Sequence, residues 1–156
     1  MSEVLVLVDH VDGEVKKVTF ELLTAARRLG EPSAVVVGEP GTTGKLTEAL
    51  RSYGSAKVYA AESAEAAQVL VTPEVDVLAN LVSQTSPAAV LLPASTDGKE
   101  IAGRLAVRID SGLLSDAVDI DARGVSSHSL HPDHRREDLE RRENRHRRRA
   151  RRQHTA

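Results

Sequence analysis

A chain of 156 residues holds the core of one ordinary domain, and with aromatics at 2% that core must be built from Val, Leu, Ile and Ala. The absence of cysteine excludes a disulfide framework, a thiolate metal site and a redox dithiol. The formal net charge of −2 conceals a division, because residues 1–130 are net acidic while 131–156 carry ten arginines against five acids.

The opening MSEVLVLVDH has no basic leader region and only five apolar residues in a row, so it reads as a strand and not a signal peptide. No apolar run approaches membrane-spanning length, and cytoplasm is the expected compartment. Glu3 to Asp9 is predicted as the first strand, and the continuous Val/Leu run implies burial on both faces. His10 to Lys16 is predicted as a polar loop around the turn signal Asp12-Gly13. The spacing of Val18, Leu22, Ala25, Ala26 and Leu29 predicts a helix from Lys17 to Leu29, ended by a left-handed Gly30. Ser33 to Gly38 is the second strand, Thr43 to Tyr53 a helix ended by Gly54, and Ala56 to Ala60 the third strand. Ala61 to Val71 suits a short helix or a loop. Thr72 as cap and Pro73 in the first turn open a helix running through Val82.

Residues 87–116 carry the most information. Ala88 to Leu92 is an apolar run without alternation, a fourth buried strand. Thr96 or Asp97 then caps a helix, and Glu100 fits a capping box if Asp97 is the cap. Ile101, Ala102, Leu105 and Ile109 form its apolar face, with Arg104 and Arg108 on the other side. Ala117 to Asp121 is predicted as a fifth, more polar strand near an edge. Strands alternating with helices imply right-handed crossovers and an α/β fold with a doubly wound parallel sheet. The loop from Thr96 to Lys99 would lie at the carboxyl end of a strand and at a helix N-terminus, where such sheets hold ligands or partners.

These residues also carry a resemblance. The run Ser95-Thr96-Asp97-Gly98-Lys99-Glu100-Ile101-Ala102-Gly103-Arg104-Leu105-Ala106, then Arg108 and Gly112-Leu113-Leu114-Ser115-Asp116, resembles the alpha subunit of electron transfer flavoprotein. Val4 to Asp9, Leu22 to Leu29 and Tyr53-Gly54-Ser55-Ala56-Lys57-Val58-Tyr59 look like that subunit in the same order, so the resemblance covers residues 1–130. It implies an adenine-nucleotide alpha-hydrolase-like fold and a family role in passing electrons from acyl-CoA and other dehydrogenases to the respiratory chain. It further implies FAD as the family cofactor, a beta subunit as heterodimer partner, and AMP held by the beta subunit and not by alpha. By their place at that helix start, Thr96, Asp97, Gly98 and Lys99 are candidates for a nucleotide loop or a subunit contact, and the resemblance favours the subunit contact.

The resemblance stops at about Leu130. Residues 131–156 contain one Leu and no other large apolar side chain, so they cannot join a core. They are expected to be a basic tail, disordered or a single salt-bridged helix through pairs such as Glu137–Arg141 and Glu143–Arg147. An Arg- and His-rich stretch in place of apolar strands suggests translation in a shifted frame of GC-rich DNA. The family's FAD region lies beyond this point, so the expectation is a truncated alpha subunit that binds no FAD and carries no electrons alone.

Other motifs carry less. Gly41-Thr42-Thr43-Gly44-Lys45 suggests a phosphate loop, but five residues separate Gly38 from Gly44, and Leu46 stands where Ser or Thr must ligand Mg²⁺. Asp9 and His10 are neighbours on a strand and point to opposite faces, so they do not form a catalytic pair. His128, His131 and His134 invite a metal, but Pro132 interrupts the helix that would align them. The arginines from Arg145 to Arg152 have no interleaved aromatics, which leaves at most non-specific polyanion binding. A small adenine-nucleotide-binding module using Thr96 to Glu100, and a polyanion-binding protein using the tail, are the alternatives. Neither is an enzyme, and no catalytic or metal-ligating residue is assigned.

Overall fold

The computed structural model describes residues 2–66, 68, 69 and 71–113, and the backbone of 117–121 and 124–127. The chain runs from β1 (Glu3–Leu7) through two short strands, β2 (His10–Val11) and β3 (Glu14–Val15), into α1 (Lys17–Ala26). β4 (Glu31–Gly38), α2 (Thr42–Ser52), β5 (Lys57–Glu62), α3 (Thr72–Thr85), β6 (Ala89–Leu91) and α4 (Thr96–Arg108) follow. β7 (Ala117–Asp121) and β8 (Gly124–Ser127) come last.

β5, β4, β1 and β6 form one parallel sheet in that order, in register Val4↔Pro32, Val4↔Ala89 and Ser33↔Lys57. The chain therefore builds outward from β1 to β5, then returns to lay β6 on the other side of β1. β1 and β4 are central, and their unbroken Val/Leu/Ala runs bury on both faces, as those runs predict. Val4, Val6, Ala34 and Val36 pack with Leu23, Ala26, Leu46 and Leu50 of α1 and α2 on one face. Leu5, Leu7, Val35 and Val37 pack with Val75, Leu78, Ile101 and Leu105 of α3 and α4 on the other. Helices on both faces make this a doubly wound α/β sheet. The single Phe stacks on one of the two Tyr: Phe20 of α1 and Tyr53 after α2 lie with ring centroids 3.7 Å apart.

Several local expectations are corrected. The predicted loop 10–16 is a small antiparallel hairpin, because Asp12 (φ 50°) and Gly13 (φ 76°) supply the two positive angles of a tight hairpin turn. α1 ends at Ala26, and Gly30 is not left-handed; it is glycine because a Cβ there would overlap the Ser2 carbonyl oxygen. Gly54 is left-handed (φ 97°) and stops α2 as predicted. Pro73 does sit in the first turn of α3, but the cap is Val71 (φ 74°) and not Thr72. Val71 holds that strained angle with its side chain buried in the core. The third strand reaches Glu62, so the segment left open at Ala61 begins as strand. The fifth predicted strand forms, but β7 pairs antiparallel with β8 in a separate ribbon and not with the parallel sheet. The tail 131–156 and the histidines from His128 onward lie outside the described residues.

Candidate functional site

The order of the sheet reverses between β1 and β6, and the carboxyl ends of these strands flank the crevice where open α/β sheets take ligands. On the β1 side the chain closes on itself. The buried Thr19 hydroxyl accepts from the Asp9 amide (2.8 Å) and donates to the Asp9 carbonyl (3.2 Å), which ties the start of α1 to the end of β1. The Asp9 carboxylate turns to Lys16, 3.3 Å away. His10 Nε2 donates to the Val37 carbonyl (3.0 Å), a bond that fixes its tautomer. Asp9 and His10 therefore serve different neighbours.

On the β6 side the structure places Thr96, Asp97, Gly98 and Lys99 together in the first turn of α4. The cap is Ser95, not Thr96 or Asp97: its hydroxyl accepts from the Gly98 amide at 3.1 Å. Three successive residues here are cap-competent, and only the entry angle from β6 selects among them. Glu100 makes no capping box; it accepts from Arg104 one turn on at 2.6 Å. Gly98 is buried, and a Cβ on it would overlap the Pro93 carbonyl oxygen. Its glycine identity is explained by backbone meeting backbone within the fold.

A third element was not anticipated. The carboxylate of Glu62, at the end of β5, accepts from the amides of Gly41 (3.0 Å) and Thr43 (2.7 Å) at the N-terminus of α2. The Thr43 hydroxyl beside it and these two amides hold the Glu62 carboxyl below its ordinary value. The loop that superficially suggests a phosphate site thus has its anion position filled by the protein's own side chain.

The amino end of the sheet is closed by a second carboxylate. Glu3 Oε1 accepts from the Ser33 hydroxyl (2.5 Å) and the Tyr59 phenol (2.9 Å), with Lys57 Nζ 3.8 Å away. Burial alone pushes Glu3 upward, but the hydrogen bonds from Ser33 and Tyr59 and the Lys57 charge outweigh it, so the carboxyl lies below its ordinary value. Burial and the bond to Glu3 raise the Tyr59 phenol. No periodicity in the sequence marks either carboxylate, because each acts on residues far away in the chain.

The donors at the carboxyl end do not suit the diphosphate of FAD. The α2 amides hold Glu62, the Gly98 amide holds Ser95, and the connections bring further carboxylates, including Asp9, Asp97 and Glu65. Among the described residues no group of three or more His, Asp or Glu is placed to hold a metal, and no helix is long and apolar enough to cross a membrane.

Comparison with known proteins accounts for this architecture. The family model "Electron transfer flavoprotein domain" matches residues 4–130. The electron transfer flavoprotein subunit alpha of Mycobacterium tuberculosis (strain H37Rv) is 58% identical over 130 residues, which cover 83% of this chain and 41% of that subunit. The subunit alpha of Bacillus subtilis (strain 168) is 32% identical over 126 residues. The lactate dehydrogenase (NAD(+),ferredoxin) subunit LctC of Acetobacterium woodii is 34% identical over 123 residues, 28% of its length. The chain spans less than half the length of these relatives, and residues 131–156 fall outside the family match. The chain belongs to the electron transfer flavoprotein family and corresponds to the N-terminal part of its alpha subunits.

Proposed function

We propose that residues 1–130 act as the N-terminal domain of an electron transfer flavoprotein alpha subunit, a scaffold that pairs with a beta subunit in the cytoplasm. The observation that carries this reading is 58% identity to the mycobacterial subunits sustained across the whole α/β unit. The family role is electron transport, in which a flavin accepts electrons from acyl-CoA and other dehydrogenases and passes them to the respiratory chain. In this reading FAD belongs to a part of the assembly other than residues 1–130, and the 156-residue chain alone neither holds FAD nor carries electrons. The self-filled α2 amides and the acidic carboxyl end support that assignment. The basic residues 131–156 form a separate segment, read in a shifted frame relative to the family.

The test is to express the full chain with and without an electron transfer flavoprotein beta subunit. The chain alone is expected to purify colourless, and with the beta subunit to co-elute as a heterodimer. Flavin absorbance at one equivalent in the chain alone, or failure to associate with any beta subunit tried, would overturn the proposal. Sequencing the gene checks the shifted frame: a clean parental frame through codon 130 disposes of it.

A further inference from the structure

One stretch of the chain carries no cation of its own. Between Lys57 and Lys99 the sequence contains no Lys, Arg or His, yet it holds Glu62, Glu65, Glu74, Asp76 and Asp97. This stretch folds into the end of β5, all of α3 and β6. Where β5 ends against the first turns of α3, there is an open groove. Its floor is apolar, formed by Val37, Ala61, Ala66, Pro73 and Val77, and carboxylates stand at its rim in Glu62 and Asp76. One oxygen of Glu74, in the same first turn of α3, is buried without a hydrogen-bond partner among the described residues. An arginine already uses this rim: Arg108 reaches across from α4 to pair with Asp76.

An apolar floor between carboxylates is the environment that suits an arginine side chain, whose methylenes cover apolar surface while the guanidinium meets the rim. The chain supplies that chemistry. After Glu143 the sequence Asn144-Arg145-His146-Arg147-Arg148-Arg149-Ala150-Arg151-Arg152 has six arginines and no acid. Residues 128–144 lie between the end of β8 and Arg145. An extended chain spans roughly 3.3 Å per residue, so this tether reaches about 56 Å, more than the width of a domain of this size.

We propose that the groove between the end of β5 and the first turns of α3 is the docking surface for the basic segment Arg145–Arg152 of the same chain. This goes beyond the subunit reading above and does not depend on it. The contact joins a groove with two carboxylates in its lining to the arginine-rich segment of the sequence. It is electrostatic and exposed, so it weakens as salt shortens the screening length to about 3 Å at 1 M. It also sets the segment's affinity for outside polyanions, which must compete with the groove.

The lack of cysteine makes the test direct. Ala150→Cys introduces a unique thiol for a nitroxide label in the full-length chain, and amide signals are read with the label oxidised and reduced. At low salt the signals of Ala61, Ser63, Ala66 and Val77 are expected to lose about twofold or more of their intensity, and to regain it near 1 M salt as the charges are screened. Glu62→Gln with Asp76→Asn, checked by circular dichroism for an intact fold, should abolish the loss. Absence of salt-sensitive broadening in the groove, or broadening centred on another surface, overturns the proposal. So does broadening that persists when label and isotope are carried on different copies of the chain, since the contact would then lie between molecules.

Discussion

The two ends of the sheet are each closed by a carboxylate, and they differ in what the carboxylate holds. At the amino end Glu3 gathers hydroxyls from β4 and β5 and binds three strands together through one oxygen. At the carboxyl end Glu62 takes up helix amides, the groups an α/β protein commonly turns toward a phosphate. The first arrangement is internal bracing. The second spends a ligand-binding geometry on the protein's own side chain. The strand order of a nucleotide-binding sheet is therefore kept while amides that start α2 and α4 are taken up by Glu62 and Ser95.

The largest effects should come from the backbone approaches that fix each end. Gly30 abuts Ser2 at the amino end and Gly98 abuts Pro93 at the carboxyl end, both against carbonyl oxygens that have no side-chain freedom to move aside. Gly30→Ala and Gly98→Ala are each expected to cost about 1–3 kcal/mol in urea unfolding. Gly103, in the middle of α4, is the internal control: a Cβ there meets open space, so Gly103→Ala should gain about 0.5–1 kcal/mol. A neutral Gly98→Ala would break the comparison, because the loop after β6 would then have room for a ligand and Gly98 a reason other than packing.

The amino-end brace makes a sharper claim because both its titrating members shift. Tyr59→Phe removes the phenol from Glu3 and should cost about 1.5 kcal/mol at neutral pH, a value typical of a hydrogen bond to a charged group. Glu3 is depressed below 4.5 in the folded state, so its contribution is full above that value and is lost as pH falls through the folded pKa. Tyr59 is raised above 10.0, so its contribution is full below that value and is lost as pH rises through the folded pKa. Urea midpoints followed from acid to alkaline pH should show the wild-type advantage over Tyr59→Phe as a plateau between the two limits, shrinking at both ends. A flat difference across the whole range would mean that the hydroxyl packs without being linked to either ionisation.

How much of this was legible in the sequence follows the range of each interaction. The aliphatic runs of β1 and β4 announce burial on both faces, and the helical spacing of Leu46 and Leu50 or Ile101 and Leu105 announces which face turns inward. Gly54 reads correctly as a helix stop because its left-handed angle is a local requirement. Gly30 was expected to play the same part and does not; its reason is Ser2, which only the folded sheet brings near. Ser95, Thr96 and Asp97 are all able caps, and local propensity cannot rank neighbours that differ so little. Glu62 acts across 19 and 21 residues and Glu3 across 30 and 56, distances at which no periodicity carries information. The candidate loop was thus found by pattern, while the side chains that close both ends were found only in three dimensions.

The smallest effects separate the two helix caps at the carboxyl end. Ser95 is a neutral cap within its own turn, and Ser95→Ala should cost about 1 kcal/mol regardless of salt. Glu62 caps α2 from another strand with a full negative charge in an exposed position, so its contribution is screened by salt and vanishes on protonation. The carboxyl is depressed below 4.5, so the cap is complete above that pH and is lost as pH falls through the folded pKa. Glu62→Gln keeps one acceptor oxygen and removes the charge. Amide exchange at Gly41 and Thr43 should accelerate severalfold in the variant at low salt, and the difference should narrow as salt is added. Exchange at Gly98 should not respond to either change. If Gly41 and Thr43 kept wild-type protection in Glu62→Gln at every salt concentration, charge would not be what holds this helix start. The amides would then be available to an anion, and the carboxyl end would again resemble a binding site.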